Sequence, residues 1–246
     1  MSYFGSDEFL LEVAKGNVTG HSIINKFGYN PSFGTTEVDI WTNGGVYVFP
    51  SDLGTAVQIS GGVGDTSTIV VEGLDENFDS KIESVALTGT TPVSLGGLWA
   101  RVFRAYVNDA VAVTGTVHVT DQATGLIVYA EILVVDQQTN MLIWTVPAGH
   151  TAFIKLLAAT YNKTGGATNS VEIRLKIRGI GAVFRNSVRF GLLSSGSSQV
   201  TTENITPGQL PEKTDVIVSA TATAAGADLS SFVSFVVIEN QFVNAA

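Results

Sequence analysis

Short segments in which apolar and polar residues alternate fill most of the chain, from Glu37 to Glu239. The clearest is Val171–Arg178, with the sequence VEIRLKIR, in which every second residue is apolar. A period of two places successive side chains on opposite faces of a β-strand. One face of this segment is therefore predicted to be core, and the other to face solvent or a partner.

About fourteen such segments follow one another at the roughly 8–12-residue spacing that is typical of β-sandwiches. Turn-forming residues (Gly, Asn, Asp and Pro) separate these segments. Asn43-Gly44 is a strong hairpin signal because both residues accept positive φ. Further hairpins are predicted at residues 121–125 and 163–166. Long helical segments, which a parallel α/β sheet requires, do not occur between the strands. The sequence predicts an all-β fold, an antiparallel β-sandwich or jelly roll, built as one sandwich or as two packed sandwiches.

The N-terminal residues differ from the rest, because Asp7–Lys15 has the composition of a helix, with Ser6 and Gly16 as candidate caps. A helix of about ten residues is marginal on its own in water. It needs a surface to pack on, either its own sheet or a neighbouring subunit. We divide the chain into an N-terminal arm (residues 1–30), a first β-sandwich region (31–110) and a second, jelly-roll-like region (111–246), and strands of one half could complete the other's sheet.

The amino-acid composition narrows the classes of molecule that the protein is expected to bind. Hydrophobic residues make up 45% of the 246 residues and charged residues only 14%, and the net charge is −9. This acidity argues against general affinity for nucleic acid, whose phosphates demand a basic surface. The chain has no cysteine and no apolar stretch of membrane-spanning length, and its first residues lack the basic start and continuous apolar region that are typical of a signal peptide. We expect a protein that is soluble as made and has protein partners, and that binds neither nucleic acid nor membrane.

Candidate chemistry is sparse. The three histidines, His21, His118 and His150, lie far apart in unlike contexts, and no nucleophile elbow occurs. The acidic segment Asp75–Ser80 resembles part of a calcium loop, but Ser80 stands where the turn glycine belongs and Ala86 where the bidentate glutamate belongs. It is predicted to be a turn between two strands. We therefore predict no catalytic residue, no cofactor and no metal.

The three tryptophans, Trp41, Trp99 and Trp144, lie in or beside strands with apolar neighbours. Core packing is the first interpretation, and stacking on a sugar ring is the alternative.

Five of the 13 basic side chains lie between residues 174 and 189, a local basic stripe in an acidic protein: Arg174, Lys176, Arg178, Arg185 and Arg189. Three interpretations are open. The stripe is a solvated strand face that pairs with acids on a neighbouring strand, it docks on an acidic protein surface, or it contacts nucleic acid.

Three segments resemble a group of virion structural proteins of tailed bacteriophages, many from aquatic hosts. The first runs from YNPSFGTTE at residues 29–37 through Ile40-Trp41 to GGVY at 44–47. The second runs from VEGLD at 71–75 to ESVALTGTTPV at 83–93, and the third spans residues 140–152. The resemblance implies a non-enzymatic particle component, assembled in the host cytoplasm. It does not decide between head and tail and transfers no site.

Our leading hypothesis is a protein that decorates or cements a phage head by binding the major capsid protein as a symmetric oligomer, with a trimer favoured. Many weak contacts suffice for such a protein because it bridges several subunits at once. A tail or fibre component, including a receptor-binding one, and a carbohydrate-binding module that uses Trp41 or Trp99 are the alternatives. The residues predicted to make the partner contacts are Phe9, Leu10 and Val13 of the arm, and Arg174, Lys176, Arg178, Arg185 and Arg189 of the stripe.

Overall fold

A computed structural model of the chain describes residues 6–163, 169–194, 197–203 and 209–243. In this part of the chain there are sixteen β-strands and two short helices, so the predicted all-β fold is confirmed. The predicted N-terminal helix is present as α1 (Ser6–Ala14), and α2 (Asn240–Val243) follows the last strand. The strands are β1 (His21–Phe33), β2 (Val38–Asp39), β3 (Val57–Ser60), β4 (Thr68–Asp75), β5 (Ser80–Ala86), β6 (Val93–Ser94), β7 (Trp99–Val107), β8 (Val117–Asp121), β9 (Val128–Ile132), β10 (Ile143–Thr145), β11 (His150–Lys163), β12 (Asn169–Arg178), β13 (Arg185–Ser194), β14 (Ser197–Glu203), β15 (Asp215–Ala222) and β16 (Ala227–Glu239).

Two of the sheets form a jelly roll. One sheet has the order β1-β16-β11-β14, and the other has the order β10-β15-β12-β13 with β2 beside β15. All of their strand pairs are antiparallel. If the eight principal strands are counted along the chain, the sheets run 1-8-3-6 and 2-7-4-5, which is the arrangement of two interlocked Greek keys.

A second sandwich is inserted between the first two strands of the jelly roll. Its sheets have the orders β6-β3-β8-β9 and β5-β4-β7. The predicted hairpin at residues 121–125 joins β8 and β9, and the predicted acidic turn joins β4 and β5. In that turn Asp75 Oδ1 accepts hydrogen bonds from the backbone N–H groups of Asn77 and Asp79.

The hairpin predicted at residues 163–166 is wrong. β11 pairs with β14 and β16, whereas β12 pairs with β13 and β15, so the connection passes from one sheet of the jelly roll to the other. Residues 164–168 of this connection lie outside the described residues. A strand–turn–strand pattern looks the same in a hairpin and in an arch between two sheets, because both need only a polar, glycine-containing link.

The sheets do not follow the boundaries expected at residues 30 and 110. β8 and β9 follow residue 110 but pair with β3, and β1 runs through residue 30 and pairs with β16. In this arrangement two strands from after residue 110 complete a sheet of the region before it, which is the possibility that the sequence left open. Which segments fold independently stays a prediction, since sheet membership alone does not establish it.

Each sandwich has its own apolar core, and the two cores meet at β7. Trp99 and Val102 of β7 pack in the core of the inserted sandwich, whereas Ala100 and Phe103 face the jelly-roll core. The strand β7 is thus covered on both sides. In β12 the apolar residues Val171, Ile173 and Leu175 are fully buried, which is every second position, as the alternating pattern predicts.

Candidate binding surfaces

Three residues of the basic stripe, Arg174, Lys176 and Arg178, lie on the outer face of β12. Acidic residues from the segment before the insertion neutralise much of their charge. Glu37 accepts hydrogen bonds from Arg174, from Lys176 Nζ at 2.6 Å and from Ser219 Oγ at 2.8 Å. Lys176 also lies 3.4 Å from Asp39 Oδ1. Burial opposes ionisation of Glu37, but these partners outweigh it and hold the pKa of its carboxyl below the usual value.

Arg178, at the end of the stripe, faces a buried carboxylate between the two sandwiches. Its Nε donates to Asp215 Oδ2 at 2.7 Å, and Arg101 Nε donates to Asp215 Oδ1 at 2.7 Å. Arg178 also lies over the rings of Phe49 and Phe184, 4.6 Å from each centroid. This end of the stripe therefore joins the jelly roll to the inserted segment.

The remaining stripe residues lie on β13 at the edge of the sheet, and both are exposed. Arg189 pairs with Glu172, which also accepts from Arg174. The interpretation in which a strand face pairs with neighbouring acids thus describes Arg174, Lys176, Arg178 and Arg189. A role of these residues and of exposed Arg185 in binding a partner stays a prediction.

The N-terminal helix packs on its own sheet in this structure. The ring of Phe9 makes an edge-to-face contact with His21 on β1, at a centroid distance of 5.8 Å. Phe9 is 37% exposed and Leu10 is half-buried, whereas Val13 is 3% exposed. Phe9 and Leu10 are accessible to a partner, and Val13 would become accessible only if the helix moved.

All three tryptophans are buried: Trp41 and Trp144 are 3% exposed, and Trp99 is fully buried. Core packing is confirmed as their role. The alternative in which Trp41 or Trp99 stacks on a sugar is wrong, because neither ring presents a face to solvent.

The histidines stay apart in the fold. His118 Nε2 lies 3.0 Å from Glu131 Oε2, and the Nδ1 atoms of His21 and His150 lie near the backbone oxygens of Thr19 and Ala148. Among the residues that the structure describes, no three histidine or acidic side chains come together as a metal would need. Neither described helix has the length and apolar character to cross a membrane.

A cleft of about 560 Å³ opens between the first strand of the jelly roll and the sheet β5-β4-β7. Its apolar wall is formed by Ile24, Phe103, Met141, Trp144 and Val237. The charged residues that line it are Lys26 from β1, Glu72 from β4, Lys81 from β5 and Arg104 from β7, and His150 at the start of β11 lies at its margin.

Lys26 is the buried charge of this cleft, at 8% exposure. Its Nζ donates to the backbone oxygen of Phe103 at 2.6 Å. Burial lowers the pKa of its amine to about 7. The negative charge of Glu72 acts to raise this pKa, and the positive charge of Arg104 acts to lower it further. Lys26 was not among the predicted site residues, although the sequence contains a signal for it, since alternation places Lys26 on the same face of β1 as Ile24.

The outer face of the sheet β1-β16-β11 is a second candidate surface, and two of its cross-strand rows are apolar. Cross-strand pairing sets Phe27 beside Phe232 and Phe232 beside Ala158. The next outward row is partly polar, with Asn25 beside Ser234 and Ser234 beside Leu156, and the row after it sets Ile23 beside Val236 and Val236 beside Phe153. Phe27 is 38% exposed and the other apolar residues of these rows are half-buried, while Val233 and Phe235 of β16 point to the opposite side and are buried in the core.

A groove of about 370 Å³ runs across this face. Tyr29, Thr160 and Ser230 continue the aromatic row with polar groups, and Asp136 and Asn140 of a neighbouring loop form one side. Asn140 Nδ2 donates to Asp136 Oδ2 at 2.7 Å, so these side chains are held in place. α1 lies at the other end of the face, beside His21.

No protein-family model matches the chain, and no curated protein matches it in sequence.

Several solved structures align with it at very low identity. Particles of the cowpea mosaic virus top component are 10% identical, with 75% of this chain and 82% of that chain covered and a TM-score of 0.24. The tandem CBM22 domain of Paenibacillus barcinonensis Xyn10C is 11% identical, with 88% and 93% covered and a TM-score of 0.24. The infectious bursal disease virus Gt strain structure is 10% identical, with 89% and 77% covered and a TM-score of 0.20. Scores this low support no conclusion about the function of this chain.

Proposed function

We propose that this chain is a non-enzymatic structural protein of a virus particle, and that it decorates or cements a phage head as a symmetric oligomer, with a trimer favoured. The jelly-roll order of its sheets supports this, because jelly rolls form many viral capsid proteins, although fold analogy alone does not define function. The resemblance of the three segments between residues 29 and 152 to phage virion proteins supports it independently of the fold.

The apolar outer face of the sheet β1-β16-β11 is the single observation that carries the proposal. The cross-strand row of Phe27, Phe232 and Ala158 is an accessible apolar strip on this face, and contiguous apolar surface in a soluble protein marks an interaction site. Phe27 and Phe232 lie at the centre of this face, and the accessible arm residues Phe9 and Leu10 lie at its end. We assign this face to contact with a second copy of the chain. The arm and the exposed arginines Arg185 and Arg189 then contact the capsid.

Sedimentation velocity tests the oligomer. We expect the wild type to sediment as an oligomer and Phe232→Asp to sediment as a monomer, because a carboxylate in a closed apolar interface loses its hydration. Ile82→Asp is the matched control, since Ile82 is 69% exposed on β5 of the inserted sandwich, and it should leave the oligomer intact. A wild type that stays monomeric at about 100 µM contradicts the self-association.

Gold-labelled antibody electron microscopy of particles from the source culture tests the location. Label over the head surface is the expected result. Label confined to the tail would move the protein to adsorption or tail structure, and unlabelled intact and opened particles would contradict a virion role altogether.

The groove favours a second candidate function, binding of a host glycan by a tail, fibre or carbohydrate-binding protein. Sugar rings stack on exposed aromatic faces, and their hydroxyl groups donate hydrogen bonds to carboxylates and exchange them with amide groups beside the ring. Phe27, Tyr29 and Phe232 with Asp136 and Asn140 supply this combination. Glycan-array binding that is lost in Tyr29→Ala and retained in Tyr106→Ala would favour this function over capsid decoration.

A further inference from the structure

We propose that the cleft between the two sandwiches binds a singly charged carboxylate that carries an apolar chain, with the Lys26 ammonium as its counter-ion. The proposal concerns a small ligand and does not depend on a role in a virus particle. The cleft is large enough for such a molecule, at about 560 Å³.

The hydrogen bonds of Lys26 leave room for a ligand. An ammonium group has three donors. Among the described residues, the backbone oxygen of Phe103 accepts one of them at 2.6 Å. Two donors therefore remain on a side chain that is more than nine-tenths buried and lines the cleft. Buried donors without acceptors are costly, and a carboxylate would supply the acceptors.

The other cations of the cleft are already engaged. Lys81 donates to the backbone oxygens of Gly96 and Leu98 and lies 4.4 Å from the Trp99 ring centroid. Arg104 Nη1 lies 3.6 Å from Glu72 Oε1, and Nη2 donates to Gln138 at 3.4 Å. Within the described part of the chain, Lys26 is thus the most buried cation of the cleft, and its free donors and the unpartnered Nε of Arg104 are left for an incoming anion.

The surrounding charges and walls define the ligand class. Glu72 faces the same cleft and would repel a doubly charged group such as a phosphate monoester, so a single charge fits better. The wall that Ile24, Met141, Trp144 and Val237 form is apolar and favours a hydrocarbon chain over a sugar or a peptide backbone. A fatty acid of medium length has both features.

Isothermal titration calorimetry with sodium decanoate at pH 6.5 tests the proposal, with the full chain as the protein. The wild type should bind one decanoate, and Lys26→Met should bind about tenfold more weakly or not at all, because it retains the apolar stem and loses the charge. Lys15→Met, on the exposed end of the N-terminal helix, is the matched control and should bind like the wild type. 1-Decanol should also bind at least about tenfold more weakly.

Proton uptake gives a second readout that needs no variant. Glu72, Lys81, Arg104 and His150 line the same cleft from four other strands, and Lys26 is the group whose charge an anion restores. At pH 8, titrations in buffers of different ionisation enthalpy should show up to one proton taken up per decanoate, and at pH 5.5 uptake should be near zero. Four results would overturn the proposal: no decanoate binding by the wild type at millimolar concentration, equal binding by Lys26→Met, equal binding of 1-decanol, or no proton uptake at pH 8.

Discussion

A buried ion pair ties the jelly roll to the inserted sandwich, and its loss should destabilise the whole chain. Asp215 of β15 is fully buried, and Arg101 of β7 is 1% exposed. The guanidinium lies between two rings, 4.9 Å from the centroid of Phe78 and 5.0 Å from that of Phe49. We predict that Asp215→Asn lowers the free energy of unfolding by about 3 kcal/mol at pH 7.

The hydrogen bonds of Asp215 give this magnitude. Oδ1 accepts from Arg101 Nε at 2.7 Å and Thr145 Oγ1 at 2.5 Å, and Oδ2 accepts from Arg101 Nη2 at 3.0 Å and Arg178 Nε at 2.7 Å. An amide has only one acceptor oxygen, so at least one guanidinium N–H loses its acceptor and both guanidinium groups lose their buried counter-ion. Removing one member of a buried pair costs about 3–5 kcal/mol, and Arg101 retains Asp52, which places the value at the lower end.

Urea denaturation followed by tryptophan fluorescence measures the change, since Trp41, Trp99 and Trp144 report on both cores. Asp52→Asn is the matched control, because Asp52 binds the same guanidinium at 2.7 Å with a side chain that is 35% exposed. Pairs of this kind contribute at most about 1 kcal/mol. Equal losses in the two variants, or a loss below about 1 kcal/mol in Asp215→Asn, would refute the reasoning.

Two further predictions concern the inserted sandwich. Gly73→Ala should lower the free energy of unfolding by about 2 kcal/mol or more in the same urea assay, because a Cβ there would lie 2.0 Å from the backbone oxygen of Arg101. Gly191→Ala is the control: the nearest atom to its Cβ lies at 3.8 Å, and the free energy of unfolding should change by less than about 1 kcal/mol. Burial opposes ionisation of Asp65, but hydrogen bonds from Thr114, Gly62 and Gly115 outweigh it and hold the pKa of the carboxyl below the ordinary 3.8. The Asp65 carboxylate therefore stabilises the fold above pH 3.8, and this contribution disappears as the pH falls through the pKa of Asp65 in the folded state. Asp65→Asn should therefore be less stable than the wild type at pH 7, and the difference should shrink as the pH falls below 3.8; a difference that does not depend on pH would contradict this.

The strands were predictable from the sequence because alternation is local, and Val171–Arg178 shows this most clearly. Their pairing was not predictable. β1 and β16 lie at opposite ends of the chain yet are neighbours, and an insertion interrupts the jelly roll after its first strand. No signal within ten residues distinguishes a turn that pairs its flanking strands from one that crosses between sheets, so the hairpin predicted at residues 163–166 was wrong.

The same limit applies to the candidate surfaces. The sequence shows that Arg174 is basic but not that Glu37, 137 residues away, neutralises it. It shows three tryptophans, and only the fold shows that all three are inside. The aromatic face became visible only through register, since Phe27 and Phe232 meet across two strands that are distant in sequence.

Lys26 lowers the stability of the protein that carries it, and this gives the last prediction. Burial lowers the pKa of its amine from 10.5 in the unfolded chain to about 7 in the folded one. Between these values the unfolded state binds more protons, so the contribution of Lys26 to stability rises with pH across this window and is most unfavourable at pH 7 and below.

Lys26→Met should accordingly be more stable than the wild type at pH 6. The full pKa difference corresponds to about 5 kcal/mol, and the loss of the donor to the Phe103 oxygen returns about 1–3 kcal/mol, which leaves a gain of about 2–4 kcal/mol. Urea denaturation at pH 6 and pH 10 measures it, and the gain should be abolished or reversed at pH 10, where the penalty for the charge is almost gone and the lost hydrogen bond still counts, with Lys15→Met unchanged at both. A variant that is less stable at pH 6 would show that the ammonium is well accommodated in the empty cleft, and would remove the reason to expect a ligand there. A gain would mean that a costly charge is retained beside an open apolar cleft, which is the arrangement that binding of an anion requires.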